Sequence, residues 1–526
     1  MTSMEAVRAN CATLRELWCL RAMQFSFFRP ALPFLAIAMT LMMASSALAQ
    51  ETDELRIHLK INEARMQAER LEEAGQFAAC AHALISLYEE HQEDRRSDEL
   101  LYNAAVCYEA ALLPSEATRT LRLLESKFPS SALAAKAILR RANLAHAIAD
   151  YEQSAKAYEV FARRYPGERE ARAALENAAV FRLALGNHKE AIANLEMAIR
   201  FYGRKDRANT AAAQLQIAII YDDLGRTKEA RGAYEQYLLR FGSKDTPIRR
   251  LMASAKLGIL LWNASCPRRR ADGLCVKQES VSKTSAPCST VSTSKLVRIP
   301  RKKRLAEEAR KYFRKALSIA RGARLESGPR DAEEGDVGIW IGAVRFYLAD
   351  DALEAHIGGL KAPPRPVFGT GPDSKEPWQH WVADQITAQS PETARLIQSY
   401  ELVRGTTRAS ANWSIAAASR VGLITEEFSM KILQIEIPGK HTGDWAFYCR
   451  QLASKSAPLS DLAVGAYGFC HNLSTNLNWP NPWSRTCTER LGVLRPADFP
   501  AANEYHAPKY SAAYRQARVG ILKEAR

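Results

Sequence analysis

The sequence has no Gly-x4-Gly-Lys-Ser/Thr loop, no His-Glu-x2-His pair, no Gly-x-Ser-x-Gly turn and no Cys-x2-Cys pair. These absences remove the P-loop nucleotidases, the common zinc proteases, the serine hydrolases of the elbow type and the paired-cysteine zinc sites. Gly369-Thr370-Gly371 lacks the third glycine and the strand–helix setting of a dinucleotide loop. Extended apolar–polar alternation is scarce and is confined to Ile432–Ile437. After Gln50 no apolar run is long enough to cross a membrane, since the most apolar stretch, Leu251 to Trp262, is short and contains Lys256. The ten histidines are scattered. Only His441 near Asp444 and His471 beside Cys470 form pairings, and both read as structural. No cofactor, metal or catalytic residue is expected.

What is present is an ordinary globular composition. The chain has 526 residues, 47% hydrophobic and 25% charged, with 26 Gly and 23 Pro. That excludes collagen-like, broadly disordered and polytopic membrane chains, and the length suggests roughly two to four domains. The net charge of +15 invites a nucleic-acid reading, which the N-terminus argues against. Arg29 precedes an uncharged stretch from Pro30 to Gln50, with an apolar centre from Leu32 to Ala44 and an Ala47-Leu48-Ala49 exit. Charged start, apolar centre and small-residue exit read as a secretory signal peptide, the other reading being a retained membrane anchor, since the uncharged stretch is about long enough to span. Residues 1–49 are therefore read as a leader with an upstream extension, Met23 being a candidate start, and the mature chain as periplasmic or extracellular without a transmembrane span.

Eight of the ten cysteines follow the leader: Cys80, Cys107, Cys266, Cys275, Cys288, Cys449, Cys470 and Cys487. An even number in an oxidising compartment reads as disulfides, with about 105 connectivities open.

From residue 50 to 263 the spacing is helical and repeats. Cys80, Ala117, Ser154, Ala191 and Ala230 occupy one register position, at steps of 37, 37, 37 and 39. Each copy places small residues where helices approach, such as Ala105 and Ala179, and larger ones in the seam, such as Tyr108, Tyr158, Leu195 and Tyr234. Gly75, Gly186 and Gly225 suit left-handed helix ends, while Pro129 and Pro166 stop second helices. The pattern resembles a tetratricopeptide array, whose repeat is about 34 residues. The expected fold is all-α: a TPR-like helix–turn–helix solenoid with a helical C-terminal region. Cys80 falls in a second helix and Cys107 in the next first helix, so this pair is expected to bridge. By analogy with such arrays, Tyr102, Val106, Glu109, Asn143, His146, Glu176, Leu183, Leu215, Ile219 and Asp222 would face a concave groove. Their mixture of apolar and acidic groups suits an extended peptide or a partner helix.

Residues 264–304 interrupt the array. From Cys266 to Arg304 there are eleven Lys/Arg against two acids, a balance of +9. This basic Ser/Thr-rich insertion reads as disordered or disulfide-tied, within which Cys266, Cys275 and Cys288 could close small loops. Attraction to an anionic wall polymer, to phospholipid headgroups or to an acidic partner is one reading, and a solvated loop without a partner is the other. A repeat resumes at 305–360. Residues 361–377, with five prolines, read as a linker. Residues 378–526 hold six of the nine tryptophans and read as a helical cap. Cys449, Cys470 and Cys487 are odd in number, so one must reach the insertion, pair between chains or stay free. Adjacent Glu426 and Glu427 would point about 100° apart on a helix and do not form a carboxylate pair.

The C-terminal stretch carries Leu477-Asn478-Trp479-x-Asn481-x-Trp483-Ser484-Arg485-x-Cys487, then Glu489-Arg490-Leu491, then Leu494-Arg495-Pro496-x-Asp498-Phe499-Pro500, with Tyr448-Cys449 and Phe469-Cys470 upstream. With the repeats, it resembles periplasmic tetratricopeptide proteins of myxobacteria, including components of the adventurous gliding-motility machinery. The Cys-containing basic insertion departs from a plain repeat protein. The resemblance implies a non-enzymatic scaffold for envelope proteins, with no catalytic residues to carry over and no nucleic-acid partner. The alternatives are an adaptor for outer-membrane or cell-wall assembly and a wall-active enzyme with a tetratricopeptide recruitment module.

Overall fold

A computed structural model describes residues 65–94, 96–270, 272–280, 288, 294–326, 334–359, 375–405, 410–435 and 445–500, with isolated positions between 56 and 63. The expected leader, linker residues 361–374 and the His441/Asp444 pair lie outside them. The chain forms two compact units, Met1–Phe161 and Ala162–Arg526.

In the first unit four helices follow in sequence: α1 (Phe77–Glu90), α2 (Ser97–Ala110), α3 (Pro114–Lys127) and α4 (Ala132–Ala147). A fifth, α5 (Tyr151–Arg164), begins here. Each of the first four packs on its chain neighbour. The apolar spacing explains why. Helix α1 buries Cys80, Ala81, Leu84, Leu87 and Tyr88, one face at helical period. Helix α2 buries Leu100, Leu101, Ala104, Ala105, Cys107 and Tyr108. Ala104, Ala105 and Ala117 are fully buried, and their small side chains let the backbones approach. The Ser131 hydroxyl caps α4 by accepting the Leu133 N–H at 2.9 Å. Where the register puts Ser154 among alanines, its hydroxyl donates to the Ala142 carbonyl at 2.8 Å, so the seam stays satisfied.

The turn inside each helix pair is the same device five times. Gly75, Leu112, Ala149, Gly186 and Gly225 all have φ between +58° and +75°, at sequence steps of 37, 37, 37 and 39. After each, the next N–H reaches back five residues to a helix carbonyl. Leu113 donates to Tyr108, Asp150 to Ala145, Asn187 to Arg182 and Arg226 to Tyr221, at 2.7–2.9 Å. This is the Schellman closure. Three positions use glycine, as the sequence indicates. Leu112 and Ala149 adopt the same left-handed geometry with a Cβ, which costs about 1–2 kcal/mol.

The second unit continues with α6 (Ala171–Ala184), α7 (His188–Tyr202), α8 (Arg207–Asp223), α9 (Thr227–Phe241) and α10 (Pro247–Ser265). Its pairs stack in the same neighbour-to-neighbour way. The basic insertion then leaves and returns at one neck, where Lys302 N–H donates to the Ser265 carbonyl at 2.8 Å. Part of it is ordered as an antiparallel pair, β1 (Val276–Ser280) with β2 (Ser294–Arg298), in the register Val276 to Arg298. Helix α11 (Lys303–Gly322) resumes the array against α10. Their contact is so close that a Cβ on Gly258 would lie 2.6 Å from the Phe313 ring. Helices α12 (Glu334–Gly359), α13 (Lys375–Arg404), α14 (Ala411–Leu433), α15 (Trp445–Asn476) and α16 (Pro482–Leu494) follow among the described residues. The described residues are all-α apart from that hairpin, a tetratricopeptide-type stacking with a helical C-terminal region. Two readings are corrected. Ile432 and Leu433 close α14 and are not strand, because their neighbours in sequence supply one continuous apolar helical face. Helix α13 starts at Lys375, inside the stretch read as linker, since a proline is tolerated in a first turn.

Gly186→Ala should lower the unfolding free energy by about 1 kcal/mol, and Ala149→Gly should raise it by up to about 1 kcal/mol. Thermal unfolding of the oxidised protein checks both. Shifts of the same sign would contradict a left-handed turn at each junction.

Candidate functional site

The first helices of the pairs carry the residues expected at a groove. In the first unit, Arg140 on α4 donates to Glu109 on α2 at 2.7 Å and lies over the Tyr102 ring at 5.7 Å. Asn143 accepts from the Tyr158 hydroxyl at 2.5 Å. Val106 is half-buried and His146 is exposed, the latter with its ring 6.1 Å from Tyr151. In the second unit, Arg172 bridges Glu176 at 2.6 Å and Asp206 at 3.3 Å. Asp222 takes Lys256 at 3.3 Å and the Tyr234 hydroxyl at 3.3 Å. Lys256 in turn sits over Trp340 at 5.6 Å. Leu183 and Ile219 pack half-buried against the neighbouring cores.

Tyr102, Glu109 and Asp222 are therefore also engaged by struts between successive first helices, whereas Asn143 and His146 meet the second helix of their own pair and Glu176 pairs within its own helix. The struts fix helix spacing and leave one side of each group at the surface. Leu215 departs from expectation. It is only 2% exposed and belongs to the core around Tyr234 and Leu251, because its helix buries two adjacent faces there. Val180, 59% exposed, was not singled out. Its signal was the register: Val106, Asn143, Val180 and Ile219 stand at steps of 37, 37 and 39.

The eight cysteines among the described residues are all bonded: Cys80–Cys107, Cys266–Cys275, Cys288–Cys449 and Cys470–Cys487. The insertion is thus tied both to itself and to α15. His471 faces the Thr488 hydroxyl at 3.1 Å, a structural contact. Among the described residues no group of His, Cys, Asp and Glu is arranged to hold a metal ion, and no helix is long and apolar enough to cross a membrane.

Titratable groups converge at buried points of the second unit. The Arg420 guanidinium, 1% exposed, donates to Asp350 at 2.9 Å and to Asp272 at 2.9 Å, and to the Asp272 carbonyl at 2.7 Å. The Tyr400 hydroxyl donates to Asp350 at 2.5 Å. Burial pushes the Asp350 carboxyl up, against the pull of Arg420. Arg301 grips Glu354 through two bonds of 2.6 Å, lies 3.7 Å over Trp262, and shares Glu354 with the Cys275 N–H at 2.9 Å. Glu426 accepts from Tyr467 at 2.9 Å and from Arg490. Glu427 points elsewhere, into a small pocket with Lys431, His356, Thr393 and the apolar side chains of Leu353 and Phe428. Burial pushes Glu427 up to about 7 and Lys431 down to about 8. Burial, then Lys431, also lowers His356. The pocket volume is about 20 Å³, room for about one water and not for a substrate.

Residues 169–238 match the family model described as Tetratricopeptide repeat, so the chain carries repeats of that type. Comparison with curated proteins gives no match. Among solved structures, the chain is similar to a MamA protein at 14% identity and a TM-score of 0.27, covering 45% of this chain and 98% of that chain. It is also similar to a tetratricopeptide repeat protein from Parabacteroides merdae, at 10% identity and a TM-score of 0.25, covering 70% of this chain and 98% of that one. A third is the C-terminal part of a TPR repeat-containing protein from Cytophaga hutchinsonii, at 11% identity and a TM-score of 0.28, covering 56% and 93%.

The Glu427–Lys431 pocket gives a pH signature. A carboxyl raised on folding binds its proton more tightly in the native state, so stability falls as pH rises from about 4.5 to about 7. An amine lowered on folding releases its proton first in the native state, so stability recovers from about 8 towards 10.5. His356, lowered in the same pocket, contributes the opposite slope below about 6.5, so the signature is read as the difference in urea midpoint between wild type and variant. Glu427→Gln should remove the acid-side fall. An unchanged slope in that variant would contradict the assignment.

Proposed function

We propose that this chain is an exported, non-enzymatic scaffold whose repeats hold segments of other envelope proteins against their first-helix faces. Tetratricopeptide repeats generally act in protein–protein interaction, and the matched repeat segment supports that coarser reading. The observation that carries the finer one is the cysteine inventory. All eight cysteines beyond the leader are consumed in four disulfides, two of them binding the insertion. Such usage belongs to an oxidising compartment and agrees with the leader read from residues 1–49. Each unit keeps an apolar position on a first helix beside its ion-paired struts, Val106 in the first unit and Val180 in the second. Apolar positions at regular spacing, fenced by acids and arginines, suit an extended peptide or one face of a helix. Several shallow contacts along one chain add through effective concentration, without any strong single site.

The motility assignment rests on the C-terminal resemblance around Trp479, Trp483 and Cys487. An adaptor role in outer-membrane or wall assembly uses the same fold and the same faces. The basic insertion adds a further route to anionic wall polymer.

In-cell crosslinking followed by pull-down from the envelope fraction tests the reading. The wild-type chain should recover defined envelope proteins. Val106→Asp with Val180→Asp should reduce that recovery at least about tenfold, because a charge at an apolar anchor costs about 1.5–3 kcal/mol in binding. Equal recovery by the double variant would remove these faces from the interaction. Release of soluble fragments from isolated wall by the purified chain would replace the scaffold with an enzyme.

A further inference from the structure

The turns that lead from one helix pair to the next carry a charge that the scaffold reading does not use. In the second unit two of them read alike, Arg200-Phe201-Tyr202-Gly203-Arg204-Lys205-Asp206-Arg207 and Arg240-Phe241-Gly242-Ser243-Lys244-Asp245. The first joins α7 to α8 and the second joins α9 to α10. Lys205-Asp206 and Lys244-Asp245 stand 39 residues apart, the local repeat step. Both acids are engaged within the fold. Asp206 accepts the Asn209 N–H at 3.1 Å and takes Arg172 at 3.3 Å. Asp245 accepts from the Tyr237 hydroxyl at 2.6 Å and takes Arg249 at 3.3 Å. Arg200, Arg204, Lys205, Arg207, Arg240 and Lys244 are exposed, and none of the six pairs with a carboxylate among the described residues.

Hydrogen bonds lace the two turns into one edge. Arg207, the first residue of α8, donates to the Arg240 carbonyl at 3.2 Å, and Arg249 donates to the Ala208 carbonyl at 3.3 Å. The Tyr202 hydroxyl donates to the Pro166 carbonyl at 2.9 Å, which ties the preceding turn to the same edge. The helix dipole explains only part of this charge. Arg200 and Arg240 lie in last turns, where a carbonyl end carries about half a negative charge. Arg204, Lys205 and Lys244 lie beyond the helix ends, and Arg207 stands at an N-terminus, where the dipole opposes a cation.

Large apolar side chains share the edge. Phe201 is 49% exposed and Leu239 is 86% exposed, each in the last turn of its helix. A leucine kept in water among arginines gains nothing from a soluble polyanion. It gains by entering the boundary between headgroups and acyl chains, the usual arrangement of a surface that combines Lys/Arg with Phe or Leu. The residues sit on turns and helix ends, which project and so meet a broad surface.

We propose that this edge docks the chain on an anionic phospholipid bilayer, with Leu239 and Phe201 entering the headgroup boundary and the six cations facing the lipid phosphates. The edge uses neither the peptide-binding faces nor the basic insertion.

The test is sedimentation of the full, disulfide-intact chain with vesicles of phosphatidylcholine alone or with phosphatidylglycerol added. The wild type should sediment with the anionic vesicles, less at high salt, and stay in solution with phosphatidylcholine. Lys205→Glu with Lys244→Glu should weaken vesicle binding about twentyfold or more. Lys189→Glu with Lys228→Glu makes the same change of charge in the first turns of the same two helices, about 20 Å away, and should weaken it less than about threefold. Leu239→Ser leaves every charge in place and should weaken it about fivefold or more. Every substituted side chain is exposed, so the variants alter surface and not core, and circular dichroism should match the wild type. Absence of sedimentation with anionic vesicles overturns the proposal. Wild-type binding by the Lys205/Lys244 variant also overturns it and moves the contact to the insertion. Equal weakening by the two lysine pairs reduces the effect to net charge and overturns it as well. Loss with the Lys205/Lys244 variant but wild-type binding by Leu239→Ser makes the ligand a polyanion instead of a bilayer, which overturns the membrane assignment.

Discussion

Arg420 is a fully buried cation in the middle of α14, and the second unit is assembled around its neutralisation. Its guanidinium spans Asp350 on α12 and Asp272 at the base of the insertion, and Asp350 is also held by Tyr400 on α13. The indole N–H of Trp483 on α16 donates to the same Asp272 carbonyl that Arg420 uses. Taking one such charge out of water without partners costs several kcal/mol. Helix α14 therefore cannot seat until residues 70 and 148 positions away are in place. The insertion is consequently a keyed part of the fold, whatever else its basic residues do. Arg301 and Glu354 repeat the device at its neck, with Trp262 beneath the guanidinium and the Cys275 N–H on the carboxylate.

Around these ionic points the core is aromatic and close. Phe313 and Tyr347 stack at 5.8 Å, and Phe346 meets Trp413 and Trp483 at 5.2 and 5.6 Å. A Cβ on Gly422 would lie 2.6 Å from the Tyr467 ring, which fixes how near α14 and α15 come. Buried ion pairs contribute little net stability but strongly penalise wrong arrangements. Here they fix which elements meet, while the aromatic and alanine packing supplies the favourable free energy.

Local regularities were legible in the sequence, and long-range pairings were not. The register through Cys80, Ala117, Ser154, Ala191 and Ala230 could be read because each repeat must bury the same face on its neighbour. Gly186 and Gly225 announced their turns, while Leu112 and Ala149 make the same turn without the residue that signals it. The register implied them, since they stand 37 residues apart from each other and from Gly75 and Gly186. Leu215 was misplaced because a helix between two neighbours buries more than one face, and periodicity alone does not rank the faces. Arg420 could not be found from sequence: nothing local to it names Asp272 or Asp350 as partners. The bridge from Cys288 to Cys449, 161 residues apart, is of the same kind.

Within each unit, ion pairs such as Arg140–Glu109 and Lys256–Asp222 join successive first helices, and the eight cysteines among the described residues are all in disulfides. Among the described residues, the Arg420 and Arg301 clusters hold elements of the fold together, and the apolar pocket beside Glu427 has room for about one water. The central claim, an exported and oxidised scaffold, meets its most direct test in peptide mapping under non-reducing conditions, on protein recovered from cells with free thiols blocked at lysis. The account predicts four linked peptide pairs, including Cys80 with Cys107 and Cys288 with Cys449, and no blocked thiol among the eight cysteines. Recovery of these cysteines as blocked free thiols would place the chain in a reducing compartment and contradict the account.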